Sequence, residues 1–270
     1  MIPISDEDLH YEGASVLEGY DVFITSTHHE YWSKEMWDAL DAFKKRGGRI
    51  MYLGANAWYW RVAFHSSIPG VMEVRRAEGG IRAWAAEPGE YYHSFTGEYG
   101  GLWRRSGKPP QMMAGTGFSA QGFDVASYFR KAPDSSNERA KFIFEGVPEE
   151  IIGDFGLIGD GAAGLELDRA DPLLGTPPNT LVLASSEDHS PVYMVVLEEI
   201  FINAPGMCGG EHPLVRADMV FFETPSGGAV FSSSSISWAG SLSHNNYENN
   251  VSKITENVLR RFLEPRKFEV

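Results

Sequence analysis

The sequence predicts an α/β fold built on a parallel sheet, with a β-rich insertion in its middle. Three observations carry that prediction. An apolar run from Val22 to Ile24, a helical pattern from Met36 to Phe43 and a second apolar run from Ile50 to Leu53 follow one another with short connections. That order is the signature of a right-handed parallel βαβ unit. The same texture returns near the end, where Met219 to Phe222, Ala229 to Ser232 and a helix-period stretch from Val251 to Phe262 close the chain. Between the two, residues rich in Gly, Pro and aromatics interrupt the helical periodicity. Residues 1–65 and 215–270 are therefore expected to form one α/β layer and residues 66–214 a β-rich insertion, together one compact domain.

Residues 2–10 read as a short turn entering a helical segment that ends near Gly19. No strand precedes that segment. A doubly wound sheet normally starts with a strand, so the chain is expected to begin partway through a fold unit, as the C-terminal piece of something longer. Ser33 offers a helix N-cap, and Met36, Trp37, Leu40 and Phe43 recur at helical spacing up to Gly47-Gly48. Beyond Trp58-Tyr59-Trp60, residues 71–76 and 81–84 flank Ala77-Glu78-Gly79-Gly80, a hairpin signal. Residues 86–140 have little periodicity and read as a long loop region, either functional or leaning on another chain. Residues 141–144 suggest a short strand. Residues 181–184 and 192–197 suggest strands joined through Glu187-Asp188-His189-Ser190. Pro225-Ser226-Gly227-Gly228 marks a second hairpin, and the closing helix stops before Pro265.

With 43% hydrophobic residues in 270, the chain can bury a sizeable core. Lys and Arg number 23 against 37 Asp and Glu, a formal net charge of −14. Such a balance repels phosphate backbones and anionic lipid, which argues against nucleic acid and membrane partners and favours a small neutral or cationic molecule. A single cysteine, Cys208, excludes an internal disulfide framework and a cysteine-built zinc site. Neither a signal-peptide pattern nor an apolar run of membrane-spanning length occurs, so a cytoplasmic protein is expected.

In parallel sheets, ligands bind beyond the carboxyl ends of the strands. His28, His29, Glu30 and Asn56 fall at such ends. Alternation in extended chain places His28 and Glu30 on one side and His29 on the other. Imidazole beside carboxylate suits either a Zn, Fe or Mn site or acid–base chemistry; the plainer reading is exposed strand-end polarity. Gly54-Ala55-Asn56-Ala57-Trp58 occupies the place of a nucleophile elbow. Asn56 there cannot attack as a nucleophile but can donate a hydrogen bond to a carbonyl oxygen. Trp58, Tyr59 and Trp60 either wall a small apolar pocket or pack the core. Carboxylates at Glu166, Asp168 and Asp171 follow the flexible turn Gly161-Ala162-Ala163-Gly164, as solvated acids or as a general base. Cys208 reads as a packing thiol, and residues 241–246 as a polar loop lining the same cleft.

These stretches resemble the N,N-dimethylformamidase family, in the C-terminal part of its large (beta) subunit. Thr27-His28-His29-Glu30-Tyr31-Trp32-Ser33, Met51-Tyr52-Leu53-Gly54-Ala55-Asn56, residues 79–102 and residues 249–259 carry the resemblance, which covers nearly the whole chain. It implies a flavodoxin-like, class I glutamine amidotransferase-like parallel sheet without the amidotransferase Cys. It further implies a mononuclear ferric iron with Glu30 as its glutamate ligand and two tyrosine ligands from outside this chain. Tyr31 and Tyr59 are the local stand-ins. His28 beside the metal, Asn56 as substrate-orienting residue and Glu166 as acid–base residue complete the implied set. His29 stands where the family has Pro. The implied activity is hydrolysis of small N-substituted formamides to formate and an amine. The upstream part of the large subunit and a small subunit are the expected partners, in an oligomer. Two other readings stand beside it: a non-catalytic ligand- or subunit-binding module, inactive without an upstream half, and a sugar-processing member of the same topology.

Overall fold

In the computed structural model, which describes residues 1–76, 89–200 and 204–269, the first βαβ unit forms where the spacing predicts it. Ser5 caps helix α1 (Asp6–Glu12) in a reciprocal box with Asp8. Strand β1 (Val22–Thr27) and a two-residue strand β2 (Tyr31–Trp32) lead to helix α2 (Lys34–Lys45). The Ser33 hydroxyl starts α2 by accepting the Met36 N–H at 3.2 Å. Its buried face of Met36, Trp37, Leu40 and Phe43 packs with Ile50 and Tyr52 of β3 (Arg49–Gly54). Strands β1 and β3 run parallel, in register from Val22 opposite Arg49 to Thr27 opposite Gly54.

Strand β4 (Trp60–Phe64) lies parallel to β2 and antiparallel to β5 (Met72–Val74), a small second sheet. The hairpin expected around Ala77-Glu78-Gly79-Gly80 falls outside the described residues. Next come α3 (Gln111–Ala114), β6 (Gly117–Lys131), β7 (Ile151–Ile152), β8 (Ala163–Arg169), β9 (Leu181–Glu187) and β10 (Met194–Val195). The chain closes with β11 (Asp218–Glu223), β12 (Ala229–Ser232), α4 (Trp238–Ser241) and α5 (Asn250–Leu263).

Among the described residues the main sheet has nine strands, ordered β1-β3-β12-β11-β9-β6-β10, with β7 and β8 also paired to β6. Only β1 with β3 and β3 with β12 are parallel. The remaining pairs of this sheet are antiparallel. The flavodoxin-like or class I glutamine amidotransferase-like parallel sheet expected from sequence is thus corrected to a mixed sheet. The reason is connectivity. A parallel neighbour needs a crossover that returns the chain to the same end, as α2 does between β1 and β3. A short turn joins β11 to β12, and no crossover helix stands between β6, β8 and β9. Strands β6 and β9, from within residues 66–214, continue the sheet begun by β1 and β3.

Strand β3 is buried on both faces. Ile50 and Tyr52 join the α2 side, whereas Met51 and Leu53 join the other side, where α5 contributes Val251, Ile254, Val258 and Phe262. Three segments differ from expectation. Residues 86–140, read as a loop region, contain α3 and the fifteen-residue β6. Residues 141–144 form a 3-10 turn instead of a strand, because Asn257 of α5 donates to the carbonyls of Ile143 and Glu145. Of residues 192–197, only Met194 and Val195 form a strand, and it pairs with β6, not with β9. No helix among the described residues is long and apolar enough to cross a membrane.

Candidate active site

The site begins where β1 and β3 end together. A Cβ on Gly54 would lie 2.2 Å from the Thr27 carbonyl oxygen, so the two strand ends approach as closely as only glycine allows. The chain leaves β1 through Thr27 at φ +60° and leaves β3 through Asn56 at +56° and Trp58 at +54°. Left-handed backbone in residues with side chains costs roughly 1–2 kcal/mol each and persists only where neighbours enforce it. Here the two exits are laced together. Ala55 N–H donates to the Thr27 carbonyl at 3.1 Å, Trp58 N–H to that of His29 at 3.3 Å, and Tyr59 and Trp60 N–H to that of Glu30 at 3.1 and 3.0 Å.

His29 turns away from its neighbours. Its Nδ1 lies 2.9 Å from Thr25 Oγ1, its Nε2 lies 2.9 Å from Asp6 Oδ1, and the ring packs on Trp32. His28 and Glu30 face the other side, with His28 Nε2 3.3 Å from Glu30 Oε2. The same nitrogen lies 3.2 Å from Asn56 Nδ2 and 3.0 Å from Glu166 Oε2. Four side chains from three segments thus meet at one imidazole nitrogen. Glu30, Asn56 and Glu166 are buried, whereas the His28 side chain is 39% exposed, so the cluster is reached from solvent across the ring. The His28–Glu166 approach is an ion-pair contact without hydrogen-bond alignment, which leaves Glu166 Oε2 lacking a hydrogen-bond partner.

Asp168, two residues beyond Glu166 on β8, lies fully buried beneath the cluster. Its Oδ1 accepts the Asn56 N–H at 2.8 Å, and its Oδ2 accepts the Tyr52 O–H at 2.9 Å. The Tyr52 oxygen in turn accepts the Ala57 N–H at 2.8 Å. Asp168 and Tyr52 together hold both N–H groups of the left-handed turn that presents Asn56. Sequence reasoning named Asp168 only as one of three acids and missed Tyr52. A phenol inside the otherwise apolar run from Ile50 to Leu53 was the available signal, since a buried hydroxyl needs partners.

Burial and neighbours shift the ionisations. The Glu166 carboxylate raises the His28 imidazole above its ordinary value, against desolvation, which lowers it. Desolvation raises Glu30, opposed by the charge of His28. Burial pushes Asp168 up to about 8, opposed by the donors from Asn56 and Tyr52, and pushes the Tyr52 phenol well above its usual range. His28, Glu30 and Asp168 are thus each shifted toward their protonated forms.

The other sequence candidates lie in structural roles. Trp58 and Trp60 are buried in the core, Trp58 against Trp32 and Tyr52. Asp171 caps a 3-10 turn at Leu173 and pairs with Arg169. In the polar loop 241–246, His244 stacks on Phe155, and Ser241 donates to the Phe155 carbonyl. Cys208 is half-buried and has a free thiol. Among the described residues, no group of three or more His, Cys, Asp or Glu is arranged to hold a metal ion.

Two carboxylates and an amide surround a partly exposed imidazole where two adjoining parallel strands of the α/β sheet end. The chain belongs to the family described as N,N-dimethylformamidase beta subunit-like, C-terminal, whose model matches residues 3–249. It is 52% identical over 260 residues to the N,N-dimethylformamidase beta subunit of Alcaligenes sp and 51% identical over 260 residues to that of Paracoccus aminophilus. Each match covers 96% of this chain and 34% of the relative, so the chain spans about a third of the length of the curated relatives it matches.

Proposed function

We propose that this chain carries acid–base and substrate-positioning residues of an amide hydrolase for small N-substituted formamides, N,N-dimethylformamide among them. The single observation behind this reading is the convergence of Glu30, Asn56 and Glu166 on His28 Nε2. The names of the two relatives supply the substrate class.

Glu30 is the proposed ligand of a mononuclear ferric iron. The fit rests on donor chemistry: a carboxylate is a hard oxygen donor, and burial has raised the pKa of this one in a way that a cation would reverse. Among the described residues no group of three or more His, Cys, Asp or Glu could hold the ion, and the family resemblance puts the two tyrosine ligands in the upstream part of the subunit. When bound, iron supplies Lewis-acid polarisation of an amide carbonyl.

The chain's own residues orient the substrate and move protons. With its Nδ2 toward His28, Asn56 leaves its buried Oδ1 without a hydrogen-bond partner. Turning the amide over puts Oδ1 against a protonated His28 Nε2, the form that Glu166 favours. Nδ2 is then free to donate to a substrate carbonyl oxygen. Hydrolysis adds water across the C–N bond, so the formyl carbon takes the oxygen and the departing amine nitrogen takes a proton. Glu166, in contact with His28, is placed to carry that proton.

A second reading, a ligand- or subunit-binding module without activity of its own, draws on the chain's span of about a third of the relatives' length. One experiment separates the two. In a full-length beta subunit carrying this chain as its C-terminal third, Glu30→Gln is expected to lose iron. Glu166→Gln is expected to keep iron and lose formamide hydrolysis. Undiminished iron and activity in both variants contradicts the catalytic reading.

A further inference from the structure

Strand β1 forms one edge of the main sheet. Arg49 N–H donates to the Asp21 carbonyl and Ala55 N–H to that of Thr27, so alternation turns Phe23 and Thr25 toward β3 as well. The N–H and C=O groups of Val22, Ile24 and Ser26 consequently point away from the sheet, and among the described residues no backbone or side-chain group pairs with them. Exposed edges are normally blunted by charge, proline, a bulge or a covering element. Val22-Phe23-Ile24-Thr25-Ser26-Thr27 has no charged residue and no proline, and its pairing with β3 runs without a bulge.

An open groove of about 870 Å³ runs along this edge, between the first residues of the chain and the end of α5. Its lining includes Ile2, Tyr20, Val22, Ile24 and Leu263; of these, Ile2 is 63% and Leu263 57% exposed. The groove continues to His28 and His29. The edge thus offers unpaired backbone groups and apolar surface together, which is what an added strand requires.

We propose that the N-terminal region of the beta subunit docks here, adding an extended segment to β1 and placing apolar side chains in the groove. The relatives carry about two-thirds of their length outside the matched part, and the family matched is the C-terminal portion of such subunits. That region is large enough to supply the missing strand, and the groove leads it to the acid–base cluster. The inference rests on family membership and strand geometry, not on formamide chemistry, so neither stands or falls with the other.

The test compares amide exchange in this chain alone with exchange in a beta subunit where it replaces the aligned C-terminal third of the Paracoccus aminophilus protein. Val22, Ile24 and Ser26 are expected to exchange freely in the chain alone and to slow at least about 100-fold in the longer protein, with Phe23 and Thr25 slow in both. Unchanged exchange at the three positions overturns the proposal. So does a concentration-dependent dimer of this chain in which they are already slow, since a second copy would then be the occupant. The unaltered Paracoccus aminophilus subunit provides an arm that does not depend on the hybrid folding. Protection at every amide of the strand aligned with residues 22–27 supports the proposal, and alternating protection there overturns it.

Discussion

His28, Glu30 and Asn56 stand on turns that leave two parallel strands, whereas Glu166 and Asp168 stand inside an antiparallel strand of the insertion. The turns hold three left-handed residues and depend on lacing between their backbones. Strand β8 carries its two acids two residues apart, just after a left-handed Leu165 at φ +64°, with Asp168 reaching beneath the turn to carry the Asn56 N–H. A strained pair of turns is thus braced by a side chain from a paired strand that is itself kinked at Leu165. The contrast shows how one cluster draws reach from turn backbone and firmness from a buried carboxylate carried on a paired strand.

The sharpest way to separate the two regions is to remove chemistry from the β8 side alone. In a full-length subunit, Glu166→Gln is expected to lower formamide hydrolysis by about 10²–10⁴-fold, measured at saturating amide. Iron content should not change, because Glu30 belongs to the other region. Next in size is a break on the turn side. Gly54→Ala forces a Cβ against the Thr27 backbone, and a loss of about 1–3 kcal/mol is expected in the urea unfolding of this chain.

A smaller effect concerns pH. Asp168 ionises near 3.8 in an unfolded chain and at about 8 in the folded one. The folded state therefore keeps a proton that the unfolded state has lost, and the associated stability declines as pH rises from about 4 and is fully lost above 8. His28, also raised, acts with the same sign. The lowered His10, His93 and His189 act below 6.5, and the lowered Lys44 acts above about 8. Between pH 6.5 and 8 the chain should lose up to about 1 kcal/mol per pH unit, read as a falling Tm, and Asp168→Asn should flatten that slope. The smallest effect lies away from both regions. Leu173 is almost fully exposed, and Leu173→Ser should change unfolding by less than about 0.5 kcal/mol.

The same division governs what could be read from the amino acids alone. Burial on both faces makes β3 a continuous apolar run, and Ser33 and the spacing of α2 mark a helix, so the parallel unit is legible. Strand β6 is not. Its pairing with β8 shifts register after Phe118 and again between Gly122 and Ser127, which destroys the two-residue alternation that would announce it. The acids at 166, 168 and 171 look alike in sequence. Glu166 was singled out by family resemblance, and the bond between Tyr52 and Asp168 spans 116 positions with no local sign of it. Mixed strand direction was hidden for a related reason: local texture identifies strands but leaves the sense of each long-range pairing open.

The central claim is that the two regions meet at His28 Nε2, and a ¹⁵N NMR titration of His28 in this chain addresses it directly, with His28→Gln assigning the resonance. The account expects a His28 pKa above the ordinary imidazole value of 6.5, falling when Glu166 is replaced by Gln. A His28 that titrates below 6.5, or one that Glu166→Gln leaves unmoved, would contradict it.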